Sequence, residues 1–178
     1  FFLTHTPPSP ILSGLVGSEM CIRDRCNGCQ LFMELGLITN DLKNRTFMDH
    51  NDSGKFECVF TSVKIERNNS IMFKNFENSN LGIWSAHGEG KFILPGEETD
   101  YNIIGKYSKN SFPSNPNGSN FNTAILANKD GRHIAMMPHL ERSLFPWNWG
   151  FYPENKSIHT ISPWIQAFKN AYDWLKST

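Results

Sequence analysis

Apolar and polar positions along this chain alternate between two periods, and those periods predict its elements. Leu31, Phe32, Leu35 and Ile38 recur at helical spacing, which predicts a helix over 27–38. Trp164, Ile165, Phe168, Tyr172 and Leu175 repeat that spacing over 163–176, after Ser162-Pro163, a capping residue followed by proline at the first helical position. Strand patterns fill the middle. Phe56, Cys58 and Phe60 alternate, and Val63 and Ile65 resume one step out of phase, which predicts a strand with a bulge or break. Leu81 to Ala86 and Lys91 to Leu94 flank His87-Gly88-Glu89-Gly90 and read as two strands around a turn. Ile103 to Tyr107 reads as a further strand. Thr123–Ala127 and His133–Met137 flank a segment containing Asp130-Gly131, a hairpin signal. The stretches 40–54, 110–122 and 143–161 read as loops, the last long and aromatic.

Residues 1–25 fit none of these periods. They carry Pro7, Pro8 and Pro10 and a short apolar run, Ile11 to Val16, with no basic segment before it, which argues against a signal peptide. The string resembles translated sequencing-adapter sequence. The expectation is a non-native or disordered leader over 1–25 that adds nothing to the core, with the folded domain spanning 26–178.

Composition narrows the class. The chain has 178 residues, 39% hydrophobic and 13% aromatic, enough for one globular domain. Lys plus Arg and Asp plus Glu both number 17, so nothing in the charge points to nucleic acid, and no apolar run approaches a membrane span. Four cysteines, at 21, 26, 29 and 58, are too few for a secreted disulfide scaffold, and the expected compartment is the cytoplasm.

The candidate chemistry lies at Cys26 and, 113 residues on, at His139 and Glu141. A thiol at the start of a helix gains from the unpaired N–H groups and the dipole there. Asn27 would then aim its backbone N–H at an oxyanion beside Cys26. A histidine would serve as base, and a carboxylate two residues on, on the same side of an extended segment, would orient it. Other readings compete on the residues alone. Cys26 and Cys29 could be a redox pair or inert helix thiols; zinc would want a second close pair, and none is well spaced, so no metal is expected. His139 and Glu141 could belong to a solvated turn with a Glu141–Arg142 charge pair.

Longer strings decide between these. CNGCQ (26–30) resembles the nucleophile elbow of class I glutamine amidotransferases, Gly-x-Cys-x-Gly-x-Gln, and PHLER (138–142) their Pro-His-Pro-Glu-Arg. SAHGEGKF, NPNGSNFNTAIL, DGRHIAMMPHLER, WNWGF and SPWIQAFKNAYDWL follow in an order similar to the glutaminase domain of the phosphoribosylformylglycinamidine synthase family, in its long single-chain form. The resemblance covers residues 26 to about 176. It implies an α/β fold, the second half of a flavodoxin-like class I glutaminase domain, with a mixed sheet and packed helices and the site at strand C-terminal ends. It implies hydrolysis of glutamine through Cys26, His139 and Glu141, with Asn27 in the oxyanion hole and Gln30, His87 and Gly88 near the glutamine.

The ammonia would pass to an ATP-dependent synthetase region of the same long chain, where ATP and Mg would bind; this domain itself is expected to need no cofactor. The remaining alternatives are another Cys-His-Glu hydrolase of γ-glutamyl amides, a CxxC redox protein, and a non-catalytic truncation product. Leu140 departs from the family's Pro. Asp24 stands where the family has Gly two before the nucleophile. The Gly-rich loop that supplies the second oxyanion N–H is not in the chain, so the chain alone is expected to show little glutaminase activity.

Overall fold

The apolar runs in the middle of the chain become neighbouring strands because each is too short and too β-branched to bury itself as a helix. The computed structural model describes residues 22–24, 27–39, 46–154 and 160–177. Its strands are β1 (Ile22–Asp24), β2 (Phe47–Asp49), β3 (Glu57–Ile65), β4 (Asn80–His87), β5 (Lys91–Ile93), β6 (Asn102–Tyr107), β7 (Thr123–Ala127), β8 (His133–Met136) and β9 (Pro138–His139). Its helices are α1 (Asn27–Glu34) and α2 (Ile165–Ser177).

Seven strands form one mixed sheet in the order β1-β8-β7-β6-β3-β4-β9, and β2 pairs with β5 separately. Only the β1–β8 pair is parallel among the described residues. Met137 alone separates β8 from β9, yet the two lie towards opposite ends of the order. The sheet therefore curls until its β4 edge meets the continuation of β8, and His139 lands opposite Trp84.

Strands β7 and β8 are buried on both faces, and their alternation separates two cores. Ile125, Ala127, Ile134 and Met136 point into one, with Phe73, Phe76, Trp164 and Ala167. Leu126, Ala135 and Met137 point into the other, with Cys29, Phe32 and Met33 of α1 and Phe92 of β5. The two helices thus cover opposite faces of the same strands. The hairpin expected at Asn128–Arg132 forms, with Gly131 at φ +73° and Ile125 opposite Met136.

Several expectations change. The leader was expected to stay outside the fold, but Ile22–Asp24 pair in parallel with His133–Ala135. A ladder needs only backbone N–H and C=O, so a three-residue strand leaves no periodic signature. Residues 1–21 and 25 lie outside the described residues. Segment 40–54, read as a loop, contains β2. Strand β3 runs opposite β4 without a register shift from Glu57↔His87 to Lys64↔Asn80. Its change of phase has another cause: Thr61, Val63 and Ile65 face the core, while Phe60 is covered on the other face by Trp84 and Trp149, at ring separations of 5.3 and 5.7 Å. The irregular strand is β6, where register shifts flank Gly105. Strand β5 leaves β4 and pairs with β2 instead.

Helix α1 stops at Glu34, earlier than expected. Gly36 adopts φ +65°, and the N–H groups of Gly36 and Leu37 return to the carbonyls of Met33 and Phe32. This is a left-handed glycine cap closing the last turn. The buried stripe is Cys29, Phe32 and Met33, so Leu31 and Leu35 point outward. At the other end, Ser162 caps as expected, its Oγ accepting from the Trp164 N–H at 3.3 Å. The docked face of α2 is Ala167, Phe168 and Ala171, continued by Trp164 just before the helix, rather than Ile165, Tyr172 and Leu175, because the small alanines let the helix approach closely.

Candidate active site

The site is assembled around β9, where the chain leaves the sheet. His139 ends the strand, and a 3-10 turn, Leu140–Ser143, follows. The turn, not an extended segment, brings Glu141 back: the His139 Nδ1–H donates to Glu141 Oε1 at 2.7 Å. A carboxylate on Nδ1 leaves Nε2 as the reactive nitrogen and stabilises the imidazolium when it forms. His139 is buried and Glu141 about one-third exposed. Arg142 lies at the edge of ion-pair range, 4.0 Å from the same oxygen, and is half exposed. Leu140, the departure from the family's Pro, is wholly buried and serves the core.

Ser143 fixes this turn. Its Oγ donates to the His139 carbonyl at 3.2 Å and accepts from the Trp84 N–H at 3.1 Å. Nothing in the sequence pattern marked it.

Across the curl of the sheet lies the turn 87–90 at the end of β4. Helix α1 meets it through Gln30, whose Nε2 donates to the Glu89 carbonyl at 3.0 Å and to Glu89 Oε2 at 3.2 Å. Two of the expected substrate-side elements, Gln30 and the Gly88 turn, are therefore in contact. Asn27 is the exposed first residue of α1, where a helix leaves N–H groups without intrahelical partners. Cys26 lies outside the described residues.

His87 departs from the role expected of it. Its imidazole is buried, with Nε2 2.7 Å from Ser85 Oγ and Nδ1 3.1 Å from Asn51 Oδ1. Both ring nitrogens are engaged, so the ring acts inside the fold. Burial, helped by the positive charge that His139 can carry nearby, lowers its pKa from 6.5 to about 4. His87 is thus neutral at neutral pH. Tyr107 lies nearby, its hydroxyl accepting from Asn117 Nδ2 at 3.4 Å. Burial pushes the Tyr107 hydroxyl well above the usual tyrosine range, so it stays protonated. The Asn115–Ser119 motif also gains a role here: Asn117 Nδ2 donates to the Gly90 carbonyl at 2.7 Å, and Ser119 Oγ accepts from the Phe92 N–H at 3.0 Å.

Gly90 rather than Gly88 is the sterically demanded glycine. A Cβ at Gly90 would land on the His87 ring, whereas at Gly88 the nearest atom is Phe56 Cα at 3.9 Å. Cys29 is fully buried against the Phe32 core, which is poor placement for the resolving thiol of a redox pair. Among the described residues no group of His, Cys, Asp and Glu is arranged to hold a metal ion. No helix among them is long and apolar enough to cross a membrane.

The sequence profile of the CobB/CobQ-like glutamine amidotransferase domain matches residues 24–175. The chain belongs to that family. Among curated relatives, the Caenorhabditis elegans protein named "Probable phosphoribosylformylglycinamidine synthase" is 38% identical over 177 aligned positions, which cover 84% of this chain and 13% of the relative. The phosphoribosylformylglycinamidine synthase of Dictyostelium discoideum is 38% identical over 176 positions, 85% of this chain and 13% of the relative. This glutamine amidotransferase domain thus spans about 13% of the length of such relatives. The solved PurLQS structure from Thermotoga maritima superposes with a TM-score of 0.67 at 26% identity, covering 93% of this chain and 66% of that one. The glutaminase-type α/β fold expected from the motifs is therefore the fold observed. The family match begins at Asp24, inside the segment read as leader, in keeping with the pairing of β1.

Proposed function

We propose that this domain hydrolyses glutamine and supplies ammonia to the synthetase region of a long-form phosphoribosylformylglycinamidine synthase. The observation that carries the reading is the part-buried His139–Glu141 bond of 2.7 Å, beside a turn that α1 grips through Gln30. In this reading Cys26 is the nucleophile. His139 Nε2 takes the thiol proton, and the thiolate sulfur attacks the carboxamide carbon of glutamine. The oxyanion that forms is met by the Asn27 N–H at the start of α1. Collapse breaks the C–N bond, and the imidazolium gives its proton to the departing ammonia, leaving a glutamyl thioester on Cys26. Water, deprotonated by His139 Nε2, then attacks the thioester and releases glutamate with the thiol restored. Glu141 holds the ring and its charge through both halves.

The ammonia would be consumed in ATP-dependent amidine formation in purine biosynthesis, a ligase reaction of the whole protein in the cytoplasm, with ATP and Mg bound in the synthetase region. The test is Cys26→Ala in the full-length synthase. Glutamine-dependent product formation should vanish, while synthesis from added ammonia continues. Retained glutamate release, or equal loss of both activities, would refute the assignment.

A further inference from the structure

Asn51 is buried and makes more bonds than any role named so far requires. Its Nδ2 donates to the carbonyls of His87 at 2.7 Å and Lys55 at 2.9 Å. Its Oδ1 accepts from the Gly90 N–H at 3.2 Å and lies 3.1 Å from His87 Nδ1. Its own N–H donates to the Gly88 carbonyl at 2.9 Å. Two carbonyls on one side and an N–H on the other fix which end of the amide is oxygen. That orientation makes His87 Nδ1 the protonated nitrogen, since Oδ1 can only accept. His87 Nε2 is then bare and accepts from the Ser85 hydroxyl. One amide thus sets the tautomer of His87 and the path of the backbone from 87 to 90. None of these bonds uses the N–H of Gly88 or Glu89, which the clasp leaves for other partners. Asn117, reaching the Gly90 carbonyl from the opposite loop, closes the clasp.

The turn so held is also gripped from α1. Gln30 binds it from α1, the helix that begins one residue after Cys26, and the charge of His139 acts on its first residue. We propose that Asn51 is a positioning residue for the glutamine site, clasping His87, Gly88 and Gly90 so that the turn presents a fixed backbone to the substrate. The inference rests on the glutaminase reading and adds to it a residue outside the Cys26, His139 and Glu141 set.

The test compares Asn51→Ala and Asn51→Asp with the parent in the full-length synthase. Asn51→Asp keeps the size of the side chain but turns an oxygen towards two carbonyls. Glutamine KM should rise about tenfold or more, the scale of one or two lost bonds, with kcat much less affected. Alkylation of Cys26 by iodoacetamide should keep its rate, because His139 and Glu141 are untouched, while labelling by a glutamine-mimicking diazoketone slows. Asn117→Ala, which removes a bond to Gly90 and leaves Asn51 in place, should shift KM in the same direction by less. An unchanged KM, or equal slowing of both labelling reactions, would overturn the proposal. A parent enzyme that releases no glutamate from glutamine would instead sink the glutaminase reading, and that is seen before any variant is compared.

Discussion

Acidifying the protein should destabilise it through His87, by an amount the structure bounds. In the unfolded chain the imidazole titrates near 6.5; in the fold it titrates near 4, first because it is buried and then because His139 is close. Between those values the unfolded state binds the extra proton, so the contribution is complete above about pH 6.5 and is lost as pH falls towards 4. At 1.36 kcal/mol for each pH step between the two values, the loss is about 3 kcal/mol, a large share of the stability of a domain this size. The clearest assay follows the His87 imidazole by NMR in the folded protein, with urea unfolding at pH 7.5 and 4.5 for the parent and His87→Gln. The variant should lose about 2.5 kcal/mol less between these two pH values, since the last part of the loss falls below pH 4.5. His139→Gln should raise the His87 midpoint only part of the way to 6.5, since burial is the larger cause. An imidazole titrating near 6.5 in the fold, or parallel pH dependences for the parent and His87→Gln, would refute the reasoning.

Glu141→Gln keeps the shape of the His139 partner but removes its charge, so glutamine-dependent kcat in the synthase should fall on the order of 10²-fold or more, with ammonia-dependent turnover unchanged. Gly90→Ala drives a methyl into the His87 ring and should destabilise the domain by about 1–3 kcal/mol, whereas Gly88→Ala meets only ordinary contact; paired thermal melts check the contrast. Cys29→Ala should lower the melting temperature through lost packing yet leave glutamate release within a few-fold of the parent, separating a core thiol from the nucleophile.

The His139–Glu141 bond was legible because it is local: the two residues stand two apart, and one turn suffices to join them. The hairpin at Asp130-Gly131 was legible for the same reason. The misreadings share a cause. At Cys29, attention to thiol chemistry hid a residue that behaves as an apolar one, and the stripe of α1 was misphased around it. At Phe60, the loss of alternation read as a bulge, but two tryptophans distant in sequence cover the outer face. At Ile22–Asp24, the pairing edge belongs to β8, more than 100 residues away, and nothing in the three residues announces it. Each miss is a long-range partner that overrides a local pattern.

The long aromatic segment after the site shows the same dependence on distant partners. Read alone, 143–161 is a loop of unusual length. In the fold, its residues hold the His139 turn in place. The Ser143 carbonyl accepts from Trp149 Nε1 at 2.7 Å and from Ser162 Oγ at 2.6 Å, while its hydroxyl binds the His139 carbonyl. Trp84, opposite His139 in the ladder, donates through its indole to the Asn148 carbonyl. Trp164, just before α2, stacks on Phe76 and donates to the Gly82 carbonyl at 2.8 Å. The backbone of the His139–Ser143 turn is therefore tied to the C-terminal helix through two buried serines and three indoles. Misplacement of a base by about 1 Å can cost on the order of 10² in rate. The described part of the segment thus braces the His139 turn against the sheet face on which α2 docks.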